Sequence, residues 1–155
     1  MRGLSLSRPW PWAIFELPEP DAKGVENRSW PPPITQIGER IALHAAKSWD
    51  DSAIGFLLSL GIENMPSRFD QHPQGVIIGV ATIDFVVTES RTLHGRGLGH
   101  QARWFFEKRA DGKDNYGWVL SDKRKLTDLV PCTGKQGLWT VPPDVEAAIN
   151  RQLGA

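Results

Sequence analysis

KGVENRSW, residues 23–30, holds a cation, a carboxylate, a guanidinium and an indole within eight positions. If residues 25–30 are extended, successive side chains alternate between two faces. Glu26, Arg28 and Trp30 then point one way, and Val25, Asn27 and Ser29 the other. A face made of a carboxylate, a guanidinium and an indole is a recognition face rather than a core face. Lys23 precedes it, and the three prolines Pro31, Pro32 and Pro33 stop the strand behind it.

Two further stretches share this chemistry. SRPWPW at 7–12 and HAAKSW at 44–49 each place Lys or Arg within a few residues of Trp. An indole stacks on any nucleobase, an interaction worth about 1–3 kcal/mol per base. Arginine grips phosphate or carbonyl groups as a planar fork, and lysine adds a compact charge. Glu26 can accept from an exocyclic amino group. Against this, tryptophan is a bulky core filler, and Glu26 with Arg28 could form only a surface ion pair worth about 0–1 kcal/mol.

Working outward, the pattern predicts short strands with a few helices. Ser7 is placed to cap a short helix carrying Trp12, Ile14 and Phe15. Residues 39–46 alternate, with Ile41, Leu43 and Ala45 forming one buried face. Asp50 or Asp51 caps a helix running to Leu60, with Gly61 ending it. Residues 76–88 form a β-branched strand with Gly79 at a bulge or bend. Residues 89–103 are a loop rich in Gly, Arg and His. Residues 104–108 and 116–120 form two strands around the turn ADGKDN, and residues 123–130 add another. Residues 138–141 form a short strand. Pro142 and Pro143 start a last helix, with Val145, Ile149 and Leu153 on one face. No internal repeat or linker interrupts the chain. The expected class is α+β: one domain over residues 1–155, a small β-barrel with two or three peripheral helices.

Composition narrows the chemistry. The 155 residues carry 18 basic and 18 acidic side chains, for a net charge of zero. The sum hides a segment at −4 (residues 51–90) beside one at +5 (residues 91–135), so a polyanionic partner stays open. One cysteine excludes an intramolecular disulfide framework and a Cys-rich zinc site. The first residues lack the apolar stretch of a signal peptide, and residues 75–87 are too short and polar to span a bilayer. A soluble, cytoplasmic protein is expected. GKQ at 134–136 fails the Walker pattern, because Leu129 stands where the first Gly belongs and Gln136 where Ser or Thr belongs. GRGLGH at 95–100 has the wrong spacing for a dinucleotide turn. Cys132 lacks the partner cysteine of a zinc deaminase, since Lys135 holds that position.

With Arg8–Pro9–Trp10 before it and GERIALHAAK (38–47) after it, the 23–28 segment resembles the ASCH domain, a relative of the PUA-like fold. That family carries a G-x-K-x-x-E-x-R signature. Lys23, Glu26 and Arg28 match it, while Asp21 holds the Gly position. The resemblance covers nearly the whole chain. It implies a PUA-like barrel of five to six mostly antiparallel strands, with a cleft lined by the signature, and binding of RNA or other nucleic acid. One group in the family is an amidohydrolase of acylated cytidine nucleosides. Glu26 stands where those enzymes have Thr, so that hydroxyl is absent here. Another member is described as a ribonuclease.

The expected function is therefore binding of RNA, single-stranded nucleic acid or a modified nucleoside. Arg8, Lys23, Arg28 and Lys47 would contact phosphate or base edges, Glu26 and Asn27 would read or orient, and Trp10, Trp30 and Trp49 would stack. Arg91, Arg96 and Arg103 would track the backbone. The alternative is a hydrolase in the same cleft, with Glu26 as base and Lys23 and Arg28 steadying an oxyanion. No cofactor is expected, except a divalent metal in the nuclease case. A third reading makes the 95–100 loop and exposed Trp a protein-docking surface.

Overall fold

The computed structural model describes residues 1–66 and 69–154. The chain runs β1 (Arg2–Arg8), α1 (Trp10–Phe15), β2 (Val25–Arg28), β3 (Arg40–Trp49), α2 (Ala53–Ser59), β4 (Val76–Val87), α3 (Ser90–Gly95), β5 (Tyr116–Pro131), β6 (Leu138–Thr140) and α4 (Pro143–Leu153). The strands form one sheet in the order β2-β5-β4-β3-β1-β6. Its pairs are antiparallel, except that β1 runs parallel to β3.

The class is α+β, but the barrel is not closed. The edge strands β2 and β6 do not pair with each other. Their lengths explain it. β2 has four residues, all paired to β5. β6 has three, and they cover only Arg2, Gly3 and Leu4 of β1. From Ser5 onward the outer edge of β1 has no strand partner, which leaves a seam between β1 and β2.

The N-terminal strand is the main correction. Ser7 caps no helix. It lies on β1, where its hydroxyl bonds that of Ser48 on β3 at 2.8 Å. α1 starts after Pro9 with no side-chain cap. Leu4 and Leu6 alternate with Ser5 and Ser7, and both leucines are buried against Ile41, Leu43, Ile83 and Trp118. β3 is buried on two faces rather than one, because α4 packs Val145 and Ile149 over Ala42 on the reverse side. A third cluster gathers Ala13, Leu57, Leu93 and Trp104 beside β2.

β5 is one 16-residue strand, not two. It passes through irregularities opposite β4, one of them beside Asp122, which takes a positive φ of 46°. Aspartate tolerates that region better than most residues, and ion pairs to Arg40 (3.1 Å) and Arg124 (3.3 Å) hold it there. The 89–103 segment is not an open loop. It folds into α3 and a 3-10 turn at Gly99–Trp104. Residues 104–108 form no strand, since Trp104 closes that turn and Lys108 makes only an isolated bridge to Asp114. No described helix is long and apolar enough to cross a membrane.

Gly79 sits where β4 shifts register against β5. A Cβ there would lie 2.5 Å from the Arg124 carbonyl and 2.6 Å from the Phe15 ring. The ring can move and the carbonyl cannot without breaking the ladder. Gly79→Ala is expected to lower unfolding free energy by roughly 1–3 kcal/mol, read as a lower urea midpoint at unchanged m-value.

Candidate functional site

The signature is positioned from behind. β2 pairs with β5 in the register Glu26 to Trp118 and Arg28 to Tyr116. The loop before it is held by Gln101, which is buried. Its carboxamide accepts from the Gly24 N–H at 2.7 Å and donates to the Pro20 and Ala22 carbonyls at 3.0 and 2.9 Å. A Cβ at Gly24 would meet Gln101 Oε1 at 2.8 Å, so a larger residue there would displace the carboxamide that holds the loop. The Trp104 indole donates to the Asp21 carbonyl at 3.0 Å. The supposed basic loop thus buttresses the signature.

Lys23, Glu26 and Arg28 form one ionic chain. Lys23 is 3% exposed, and its ammonium donates to the Val25 carbonyl and to Glu26 Oε2, the latter at 3.2 Å. Glu26 Oε1 lies 3.5 Å from Arg28 Nε. Arg28 then crosses the seam and donates from its terminal nitrogen to the Ser5 carbonyl at 2.6 Å. Burial is the main influence on Lys23 and lowers its pKa below 10.5. Glu26 opposes the shift, while Arg28 and Lys123 reinforce it.

A cavity of about 370 Å³ opens on this chain. It is lined by Ser5, Ser7, Trp10, Glu26, Asn27, Arg28 and Asp50. Lys23 lies beneath it, with its ammonium 5.6 Å from the Trp10 ring centroid. The Trp10 indole donates to Asp50 Oδ2 at 2.9 Å. Desolvation pushes the Asp50 carboxyl up, but hydrogen bonds from Ser52 and Trp10 outweigh it and hold the pKa below the usual value. Arg28 uses one hydrogen bond on Ser5, and its Nε has no hydrogen-bond partner. A guanidinium carries five N–H donors, and Arg28 lines the cavity with only one of them in a hydrogen bond.

The other expected site residues divide. Arg8 is buried and donates to the His72 and Lys47 carbonyls at 3.2 and 2.7 Å, away from the signature cavity. Asn27 lines the cavity, yet its amide already holds the Trp104 carbonyl and the Phe106 N–H, each at 2.9 Å. Trp30 packs edge-on against Trp118 at 4.9 Å. Trp49 packs against His72 at 5.2 Å. Arg96 lies over the Phe85 ring at 3.9 Å, and Arg91 pairs with Glu89 at 2.6 Å. Lys47 is exposed and lines a separate groove. Trp104, Trp118 and Trp139 are buried in the core, Trp118 and Trp139 on strands and Trp104 at the end of the 3-10 turn. Ser5, Ser7 and Asp50 join the cavity without having been singled out for it. The alternation of Leu4 and Leu6 with the serines was the available signal. Among the described residues no group of three or more His, Cys, Asp or Glu could hold a metal ion.

By sequence, no family model and no curated protein matches the chain. Solved structures do. An ASCH protein from Zymomonas mobilis matches over 94% of this chain and 90% of its own, at 18% identity and a TM-score of 0.53. One single-residue mutant of that Zymomonas mobilis protein matches over 97% and 96%, at 17% identity and a TM-score of 0.54. A second such mutant matches over 97% and 94%, at 18% and 0.53. The chain therefore has an ASCH-like fold.

The Lys23 shift has a definite sign. Between its lowered folded pKa and 10.5, the folded protein binds fewer protons at this site than the unfolded chain, so stability rises with pH. The contribution is full above 10.5 and is lost as pH falls through the folded value. The stability difference between wild type and Lys23→Met should therefore shift in favour of wild type as pH rises toward 10.5, read from urea melts across an alkaline pH series.

Proposed function

We propose that this protein binds single-stranded nucleic acid, RNA first among the candidates, by taking one base into the seam between β1 and β2. The observation that carries this reading is the convergence of Trp10, Glu26, Arg28 and Asp50 on one cavity of about 370 Å³. Trp10 offers an indole for stacking. Glu26 and Asp50 offer acceptors for a base amino or imino group, and Arg28 offers donors for a ring nitrogen or carbonyl. The two carboxylates offset Lys23 and Arg28, so the cavity suits a neutral planar ligand better than a bare anion. The resemblance of the K-x-x-E-x-R signature to that of ASCH domains supports the same reading.

The test is a fluorescence titration of wild type, Trp10→Ala and Arg28→Ala with single-stranded RNA and DNA oligomers. Trp10→Ala is expected to cost about 1–3 kcal/mol, a loss of roughly 5- to 150-fold in affinity. Arg28→Ala is expected to weaken binding by a similar order. Affinity that ignores both changes would rule the cavity out as the binding site.

The placement of Glu26 on the cavity wall, 3.2 Å from Lys23 and 3.5 Å from Arg28, supports a second reading, a hydrolase acting on RNA or on modified nucleosides in the same cavity. Glu26 would take the proton of the attacking water or 2′-hydroxyl as the scissile bond to the leaving group breaks, Arg28 on the cavity wall would steady the negative charge that develops, and Lys23 behind Glu26 would hold the carboxylate in place. Turnover should then vanish in Glu26→Gln while ligand binding persists. Product formation unchanged in that variant would remove the reading.

A further inference from the structure

Beyond the cleft lies a larger groove of about 800 Å³, and the two meet at one residue. Ser5 lines both cavities. The reason is the seam: past Leu4 the edge of β1 is uncovered, so Ser5 has β2 reaching it from one direction and the 132–137 loop from another. The groove wall is the PCTGKQG stretch, and its shape is fixed by His44. His44 Nε2 donates to the Cys132 carbonyl at 2.8 Å, which requires the proton on that nitrogen. Nδ1 of the neutral ring is then an acceptor for the Ser5 hydroxyl at 3.1 Å, which shares its single proton between this nitrogen and the Lys135 carbonyl at 3.3 Å. Gly134 closes directly over this pair. A Cβ there would fall 2.5 Å from both the imidazole and Ser5 Oγ, so only glycine lets the loop come down this far.

The charge of the groove differs from that of the cleft. Lys47 and Lys135 line it and no carboxylate does. Both lysines are exposed, and neither side chain enters an ion pair or hydrogen bond within the described structure. A neutral cleft beside a cationic groove matches the alternation of base and phosphodiester along a strand.

We propose that the groove is the subsite for the strand that continues from a base held in the cleft, with Lys47 and Lys135 each taking a phosphate across Ser5. This rests on the reading of the cleft given above, and it commits the ligand to an oligonucleotide rather than a free nucleoside. Phosphate contacts of this kind supply affinity and salt dependence without reading sequence.

The experiment titrates ¹⁵N-labelled protein, wild type and the Lys47→Ala/Lys135→Ala double variant, with the four free ribonucleosides and the four homotetranucleotides. The Trp10 indole signal reports the cleft and the Gly134 amide reports the groove. A tetranucleotide should bind at least about tenfold tighter than its own nucleoside and shift both signals, whereas the nucleoside shifts Trp10 alone. The double variant should lose most of that gain, and its log-affinity against log-salt slope should flatten by about 1.4 for two single-strand contacts. Nucleoside binding and the urea midpoint should not change. A tetranucleotide that moves Trp10 but not Gly134, or that binds the double variant with wild-type affinity and slope, overturns the groove and leaves the cleft reading standing. A Trp10 signal that no nucleoside or tetranucleotide moves overturns the cleft reading, and the groove proposal falls with it.

Discussion

One hydrogen bond spans the opening in the sheet: the Arg28 guanidinium on the Ser5 carbonyl at 2.6 Å. Past the end of β6, closing the sheet would require β2 to pair with the uncovered length of β1, and the two are linked instead by a side chain. A ladder would satisfy both edges with backbone groups and leave nothing between them. A side-chain span holds the edges further apart and leaves room for a cavity. It also brings a charge into a place where only 22% of the Arg28 side chain is exposed. Such a charge is costly unless it is paired, so Glu26 is needed beside it. Lys23 in turn sits behind Glu26 at 3.2 Å. The signature thus begins as a structural requirement of an open seam.

The support behind the seam has the same logic. A buried ammonium and a loop with exposed backbone groups cannot face an apolar wall. Gln101 answers the backbone of residues 20–24 with three hydrogen bonds, and Trp104 answers Asp21 with a fourth. These come from the stretch whose Gly, Arg and His content suggested a mobile basic loop. Its function-bearing residues are the ones without charge. The arginines on it are exposed or already engaged, Arg91 with Glu89 and Arg96 with Phe85.

Much of the fold was legible because burial leaves a period. The alternation at 39–46, the β-branched run from Val76 and the Val145–Ile149–Leu153 face all became the elements they suggested. β1 carried the same signal in Leu4 and Leu6, but the nearby prolines and tryptophans drew attention to a helix that starts later, at Trp10. The closure of the sheet had no local signal at all. It depends on how far β6 extends along β1, which is a matter of strand length and register. The same limit applies to the site. Lys23, Glu26 and Arg28 were visible as a motif. Ser5 and Asp50 reach the cavity through tertiary placement, and Asp50 read equally well as a helix cap. Trp30 and Trp49 resembled Trp10 in sequence context, yet Trp30 packs against Trp118 on β5 and Trp49 against His72 ahead of β4, and only the position of α1 turns Trp10 toward the seam.

The ionic chain explains why a ligand would gain by entering this seam. Glu26 accepts one hydrogen bond, from Lys23, and its second oxygen is 3.5 Å from Arg28, beyond the usual length of a charged pair. Arg28 Nε is buried and lacks a hydrogen-bond partner. Buried polar groups left in this state cost stability, typically about 1–3 kcal/mol each. A planar ligand with donors and acceptors on one edge could engage the Glu26 carboxylate and the terminal nitrogens of Arg28 at once, and Trp10 would cover its face. A protein that had closed the sheet at this point would commit the same groups to its own backbone. The absence of a ladder between β1 and β2 is therefore the feature on which the proposed recognition depends: polar groups that a ladder would have satisfied stay uncommitted at the seam.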